Sequence, residues 1–281
     1  MLSLPAESVF LQHVRIPKLP DAEIPKALRW ELQGKLPYPV DEAVIRHTVA
    51  GDVFGDDEIK QEVIVFAAAK STVEAYLSLA HQAKLEVAGV NVESCAIVEC
   101  FSRFFKQAGD TVRTILYVDM GATSTQVVLS HGNRIVFAKN LLTGGDQLDK
   151  AVADGLKIPI EQAHVVRRDL AKIEHTTIAE DELYRMLDGS LDSLAQELTL
   201  CLRYYDSVFR TQSVERVIFL GGQAYDKRLC QAIAKRLNLP AQVGDPLVRI
   251  EHLNSAILCG GDPQPDWAVA VGLGLTGSNA A

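Results

Sequence analysis

The chain has 281 residues, 48% hydrophobic and 23% charged, so it can bury a sizeable core, and its length allows about two domains. The net charge is −8, from 28 basic and 36 acidic residues, and no basic stretch is interleaved with aromatics, which argues against nucleic-acid binding. No apolar run approaches the ~20 residues needed to cross a bilayer, and the opening residues, with Glu7 and no basic side chain, lack the form of a signal peptide.

From the amino end, Ser8 to Ile16 has strand-like apolar spacing and is punctuated by Pro17 and Pro20. Asp21 reads as the N-cap of a helix to about Leu36, with Ile24, Leu28 and Leu32 on one face. Pro25 falls in its first turn, where proline is tolerated, and Pro37-Tyr38-Pro39 ends it. Val44 to Ala50 reads as a strand and Gly51 to Asp57 as a loop. Glu62 to Ala69 is a continuous apolar run and predicts a well-buried strand. Ser71 and Glu74 have capping-box spacing, and the helix they open carries Val73, Leu77 and Ala80 inward. A short strand, Val87 to Val92, leads to a helix from Ser94 with Ile97, Cys100, Phe101, Phe104 and Phe105 at core spacing.

Next comes Ile115-Leu116-Tyr117-Val118, an apolar run ending in Asp119, then Met120-Gly121-Ala122-Thr123-Ser124 and a second β-prone run from Thr125 to Leu129. This is strand, tight turn, strand. Gly121 allows a positive φ and close backbone approach, so the turn's N–H groups can face an anion. The hydroxyls of Thr123, Ser124 and Thr125 add donors, and Asp119 is placed to hold a hydrated Mg²⁺. On its own the motif fits a phosphate loop and a decorated hairpin turn equally well. His131-Gly132-Asn133 makes the far turn, so three antiparallel strands are expected from Ile115 to Lys139.

Thr143-Gly144-Gly145-Asp146 opens a helix to about Leu156, where free N–H groups can meet phosphate or where the glycines merely connect strand to helix. Ile160 to Ala171 reads as a polar helix, and an unassigned stretch continues to Ala179. A long amphipathic helix is expected from Leu191 to Phe209, striped by Leu191, Leu194, Leu198, Cys201, Leu202, Tyr205, Val208 and Phe209, with Gln196 and Glu197 in solvent. Val217 to Leu220 is a buried strand running into Gly221-Gly222-Gln223-Ala224 and a helix, Asp226 to Leu237. These glycines either let the backbone lie against a flat group such as a purine or allow tight strand–helix packing. Asp266 to Leu275 reads as a buried helix, with frayed residues after it. The cysteines Cys95, Cys100, Cys201, Cys230 and Cys259 are odd in number with no CxxC pair, which fits buried free thiols in a reducing cytoplasm. The histidines are scattered without metal-ligand spacing.

In order and separation, VDMGATSTQVVL, TGGDQL and FLGGQA resemble the actin-like ATPase superfamily, an α/β, ribonuclease H-like, two-lobed fold. Within it the chain most closely resembles the PilM family of type IV pilus assembly proteins, itself similar to FtsA. LRWELQGKLPYPVDEAVIRHTV looks like the opening of that family's inserted subdomain 1C, and EVIVFAAAKSTVEAYLSLAHQAKLEVAGVNVES like its continuation and return to 1A. The resemblance implies a partial 1A with 1C over residues 1–110, a nucleotide-binding lobe, 2A/2B, over 111–265, and a helix returning to 1A over 266–281. It implies ATP or ADP with Mg²⁺ ordered by Asp119 through water, phosphates at Gly121, Ala122, Thr123 and Ser124, the ribose-phosphate region flanked by Gly144 and Gly145, and adenosine at Gly221 and Gly222. No catalytic residue is assigned. The implied partner is the N-terminal tail of a PilN-like inner-membrane protein, seated in a groove bordered by 1A and 1C, which would hold this cytoplasmic chain at the membrane indirectly.

One departure stands out. The family's first phosphate loop, Asp-x-Gly-x-x-x-x-Lys, has no counterpart before Ser8, so the 1A sheet and the fold are expected to be N-terminally incomplete. Nucleotide binding is then expected to be weak or lost, and the 1A sheet to leave an unpaired edge open to self-association. A sugar-kinase-like phosphotransferase would need that loop and a catalytic carboxylate in a sugar cleft. An FtsA- or GspL-like protein would carry a membrane-binding helix or span, where this chain ends in TGSNAA.

Overall fold

A computed structural model describes residues 1–54, 58–105, 113–170, 178–209, 213–250 and 262–278. Strand β1 (Leu2–Leu4) pairs in parallel with β5 (Val90–Val92). Among the described residues this sheet is two strands wide, so each strand keeps one edge free of another strand. Between β1 and β5 lie β2 (Phe10–Pro17), α1 (Ile24–Glu31), β3 (Ala43–Phe54), β4 (Ile59–Ala69) and α2 (Lys70–Gln82). The three strands form an antiparallel sheet in the order β2-β4-β3. Central β4 is buried at every position from Gln61 to Ala68, as its unbroken apolar run predicts. Alternation divides its side chains between two cores. Val63, Val65 and Ala67 meet Val14, Ile16, Ile24, Leu28 and Leu32 beneath α1, whereas Ile64 and Phe66 join the main core.

After α3 (Glu93–Ser102) the expected meander forms: β6 (Thr114–Met120), β7 (Thr125–His131) and β8 (Arg134–Leu141). Helices α4 (Gly145–Leu156), α5 (Ile160–Leu170) and α6 (Ile178–Val208) follow, then β9 (Val214–Leu220), α7 (Lys227–Leu237), β10 (Ala241–Val243) and α8 (Ala268–Ser278). The five-stranded sheet runs β10-β9-β6-β7-β8, with β9 and β10 parallel to β6. Leu116, Tyr117, Val118, Val127, Val128, Leu129 and Phe219 are fully buried at its centre. Helix α8 packs along α3 so closely that a Cβ on Gly272 would lie 1.9 Å from the Ala96 carbonyl oxygen. Cys100, Cys201 and Cys230 are buried free thiols and Cys95 is half-buried; burial raises the thiol pKa of Cys95 to about 11. Cys259 lies outside the described residues.

Several local expectations need correction. Helix α1 starts at Ile24 behind Glu23, not behind an Asp21 cap, because Pro25 presets the first turn. It stops at Glu31, and Gly34, at φ +73, carries the chain away well before Leu36. Helix α2 leaves β4 directly at Lys70 with Ala69 as N-cap, so Ser71 forms no capping box. Its buried residue is Ala80, while Leu77 is exposed. Phe104 and Phe105 lie past the end of α3 and are half-buried. Strand β3 extends through Gly51 to Phe54, where a loop was expected; residues 55–57 lie outside the described set. Helix α6 begins at Ile178, thirteen residues before Leu191, and its stripe is buried as predicted at Leu191, Leu194, Leu198, Cys201, Tyr205 and Val208. Ala171 and the stretch to 177, and the end of the chain from 279, lie outside the described residues.

The three-stranded sheet docks on β8 and α6 through a buried carboxylate. Glu62 of β4 is 0% exposed. It accepts from Arg15 Nε at 2.9 Å and from the Tyr204 hydroxyl of α6, and lies 3.2 Å from His13 Nδ1. The other His13 nitrogen reaches the Ala138 carbonyl of β8 at 3.0 Å, and its ring stacks on Phe137 at 4.8 Å. Burial by itself pushes the Glu62 carboxyl up, but hydrogen bonds from His13, Tyr204 and Arg15 outweigh it and hold the group below the usual carboxylate range.

Two outcomes follow for stability. Gly272→Ala drives a methyl into the Ala96 carbonyl and should cost about 2–4 kcal/mol in urea unfolding. Because the folded-state pKa of Glu62 is depressed, its stabilisation is complete above the unfolded value and lost as pH falls through the folded one. The stability gap between the parent and Glu62→Gln should therefore be flat above about pH 5 and shrink in acid.

Candidate functional site

Sheet topology gathers the three glycine motifs at one end of the five-stranded sheet. Asp119 on β6 is in register with Leu220 on parallel β9, so the turns after both strands emerge side by side. Thr125 at the start of β7 pairs with Leu141 at the end of β8, which places the hairpin tip against the Thr143-Gly144-Gly145 turn.

The hairpin tip and α4 close on each other. Gly121 N–H donates to the Ser124 carbonyl at 2.9 Å, which makes the turn tight. Gly145 N–H donates to the Gly121 carbonyl at 3.0 Å and Asp146 N–H to the Ala122 carbonyl at 2.8 Å. Gly144 N–H donates to Gln147 Oε1 at 2.7 Å, and Gln147 Nε2 donates to the Leu142 carbonyl at 2.9 Å. The Thr125 hydroxyl is spent on the Thr143 carbonyl at 2.7 Å. The leading N–H groups of α4 are thus bonded within the protein, so the expected phosphate site at this helix start is already filled by peptide carbonyls. A Cβ on Gly144 would lie 2.4 Å from the Ala122 carbonyl oxygen, so this glycine serves close approach between loops. Gly121 does not use the positive φ that glycine allows; its turn is closed by the bond to Ser124. Among the described residues the N–H groups of Ala122, Thr123 and Ser124 donate to no protein acceptor, and Ala122 and Thr123 are exposed. These three N–H groups are the ones the turn leaves without a protein partner among the described residues.

The second glycine pair packs against the first. Gly221 has φ +80, a conformation that favours glycine, and its N–H donates to the Pro265 carbonyl at 3.1 Å. A Cβ there would lie 2.4 Å from Asp119 Oδ1 and 2.5 Å from the Met120 carbonyl oxygen. Gly222 is exposed, with open space where a side chain would stand. The Gln223 side chain rests on Gly145, whose Cβ would lie 2.3 Å from Gln223 Nε2.

Asp119 therefore lies against the Gly221 backbone. Burial, reinforced by the nearby Glu93 carboxylate, raises its pKa to about 7. Glu93, in the first turn of α3, accepts from Gln126 Nε2 and is itself raised, chiefly by burial. Gln126 pairs across the strands with Asp119 on one side and Asn140 on the other, and the Asn140 Oδ1 atom is buried without a protein partner. Among the described residues no three His, Cys, Asp or Glu side chains are grouped to hold a metal ion. Glu93, Gln126 and Gln223 were not singled out by the sequence reading. The hairpin register could have pointed to Gln126, a lone amide opening an apolar strand opposite Asp119.

Because the folded Asp119 keeps its proton up to about pH 7 while the unfolded one loses it near pH 4, this group lowers stability as pH rises through that window. Asp119→Asn should stabilise the protein relative to the parent by ~1–3 kcal/mol at pH 8 and by little at pH 4, with the gap levelling off above about pH 7 in thermal melts. Gly144→Ala should cost ~1–3 kcal/mol, because all three atoms nearest its Cβ, from Ala122 and Ser124, are backbone.

A family model described as type IV pilus assembly protein PilM matches residues 1–278. Among solved structures, the chain is similar to the PilM-PilN type IV pilus biogenesis complex, at 24% identity and TM-score 0.79, covering 98% of this chain and 78% of that one. It is also similar to ethanolamine utilization protein EutJ from Carboxydothermus hydrogenoformans, at 20% identity and TM-score 0.53, covering 73% of this chain and 60% of that one. MreB5 of Spiroplasma citri bound to ADP matches at 13% identity and TM-score 0.53, covering 75% of this chain and 66% of that one. These likenesses establish an actin-like α/β fold. With its sequence matched from residue 1 to residue 278, the chain belongs to the PilM family of type IV pilus assembly proteins.

Proposed function

We propose that this protein is a cytoplasmic actin-like scaffold of type IV pilus assembly that holds the N-terminal tail of a PilN-like inner-membrane protein, with a weakened nucleotide site. The observation that carries the reading is the likeness, over 98% of the chain, to a PilM solved with PilN. On this reading the unit from β2 to α2 is subdomain 1C, β1, β5, α3 and α8 belong to 1A, and the five-stranded sheet with α4 to α7 makes up 2A/2B. The close crossing of α8 on α3 supports a C-terminal return to 1A. No helix among the described residues is long and apolar enough to cross a membrane, and the reading places the protein at the membrane through its partner.

The chain's residues fit a bound nucleotide only in part. Ala122, Thr123 and Ser124 offer backbone donors to a phosphate, and open Gly222 leaves room beside a flat base. Against this, the N–H groups of Gly144, Gly145 and Asp146 are already bonded, and Asp119 is packed on Gly221. ADP or ATP with Mg²⁺, if bound, would supply a charged group between the lobes; the chain's part would be to orient its phosphates at the hairpin.

Two measurements test this reading. A synthetic PilN-type N-terminal tail peptide should bind the folded chain in fluorescence anisotropy, and no binding up to high micromolar concentration would argue against the scaffold. Isothermal titration with Mg·ATP should give no measurable heat, and a micromolar affinity would overturn the weakened site.

A further inference from the structure

We propose that the Glu62 seam is a latch through which the three-stranded sheet sets the order of the Gly144–Asp146 turn.

Strand β8 is common to both ends of the connection. On one side it carries Ala138, whose carbonyl faces His13, and Phe137, which stacks on His13 and lies 5.6 Å from the Tyr204 ring. A few residues on, it ends at Leu141, paired with Thr125 of the hairpin, and runs straight into Gly144 and Gly145. The Gly145 and Asp146 amides are fixed only if β8 delivers the turn to the Gly121 and Ala122 carbonyls. A shift of β8 along or away from β7 breaks both bonds together.

The seam is built to be either made or broken. A carboxylate that is 0% exposed has directional partners on two elements, β2 and α6, and its neighbour His13 reaches a third, β8. Small displacements leave a buried charge unsatisfied, so intermediate positions are disfavoured and docking acts as a two-state element. At the far end of the same seam, Phe209, just beyond α6, sits where a Cβ on Gly51 of β3 would lie 2.9 Å from its ring. The seam joins apolar packing, through Ala50, Ile64 and Phe66, to these polar contacts, and the directional polar partners are what fix the docked position. Coupling is reciprocal: whatever displaces the three-stranded sheet loosens the glycine turn, and whatever orders the turn favours docking.

Hydrogen–deuterium exchange on the full chain tests the latch. Tyr204→Phe removes one hydroxyl from Glu62 and keeps the ring. Peptides covering 134–141 and 143–147 should exchange about tenfold faster, the factor expected for one lost hydrogen bond to a charged acceptor, while β6 and β9 stay unchanged. A rise confined to α6, a uniform rise across all peptides, or no change at 143–147 would overturn the proposal. Arg15→Met, at the half-exposed rim of the seam, provides the same readout should Tyr204→Phe fail to fold. It should give a smaller rise at the same two peptides, and its absence there would likewise overturn the latch.

Discussion

The carbonyls of Gly121 and Ala122 hold the amino end of α4, and the arrangement of the loops around them follows from that contact. A helix start has N–H groups that need acceptors, and here a hairpin turn provides them. For the two backbones to come this close, Gly144 can have no side chain, because Ala122 and Ser124 occupy the place of its Cβ. The hairpin, held from one side by α4, meets the second glycine pair on the other, where Asp119 leans on Gly221. Motifs that look like three separate ligand loops in sequence form one knot of mutual contacts at the end of the sheet.

This knot bears on how the chain relates to its fold relatives. Backbone donors directed at a phosphate must be free when the ligand arrives, and most of those at the start of α4 are not. Asp119, whose pKa burial and the Glu93 carboxylate raise, would have to give up its proton to hold a hydrated cation, and the cation's own charge would favour that loss. Among the described residues the amides of Ala122, Thr123 and Ser124 are left without a protein acceptor, so an anion meeting them would find backbone dipoles alone. Away from the knot, the Glu62 seam ties the inserted sheet to β8 and α6 with oriented polar contacts, so position is specified more sharply than an apolar interface alone would do.

Much of this was legible in the sequence. The meander from Thr114 to Leu141, the buried β4, the α6 stripe and the two strand–Gly-Gly–helix units follow from apolar periodicity and glycine placement. Errors arose where a local signal competed with a tertiary one. Ser71 and Glu74 have capping-box spacing, but β4 runs into α2 without a break and leaves no cap position for Ser71. Leu77 has the right spacing to face inward, yet α2 turns Ala80 to the core instead. Glu62, inside β4, and Glu93, at the start of α3, are single acids, and nothing local distinguishes them from solvated ones. Their partners lie on elements that only the fold brings near.

The hairpin carbonyls occupy the Gly145 and Asp146 amides of α4 before any ligand arrives. Residue-resolved amide exchange of Gly145 and Asp146, without nucleotide and again in millimolar Mg·ATP, tests that directly. Both amides should be protected from the outset and should not change on addition. Fast exchange that becomes protected only with Mg·ATP would mean that the helix start is a working phosphate site, and would contradict the account.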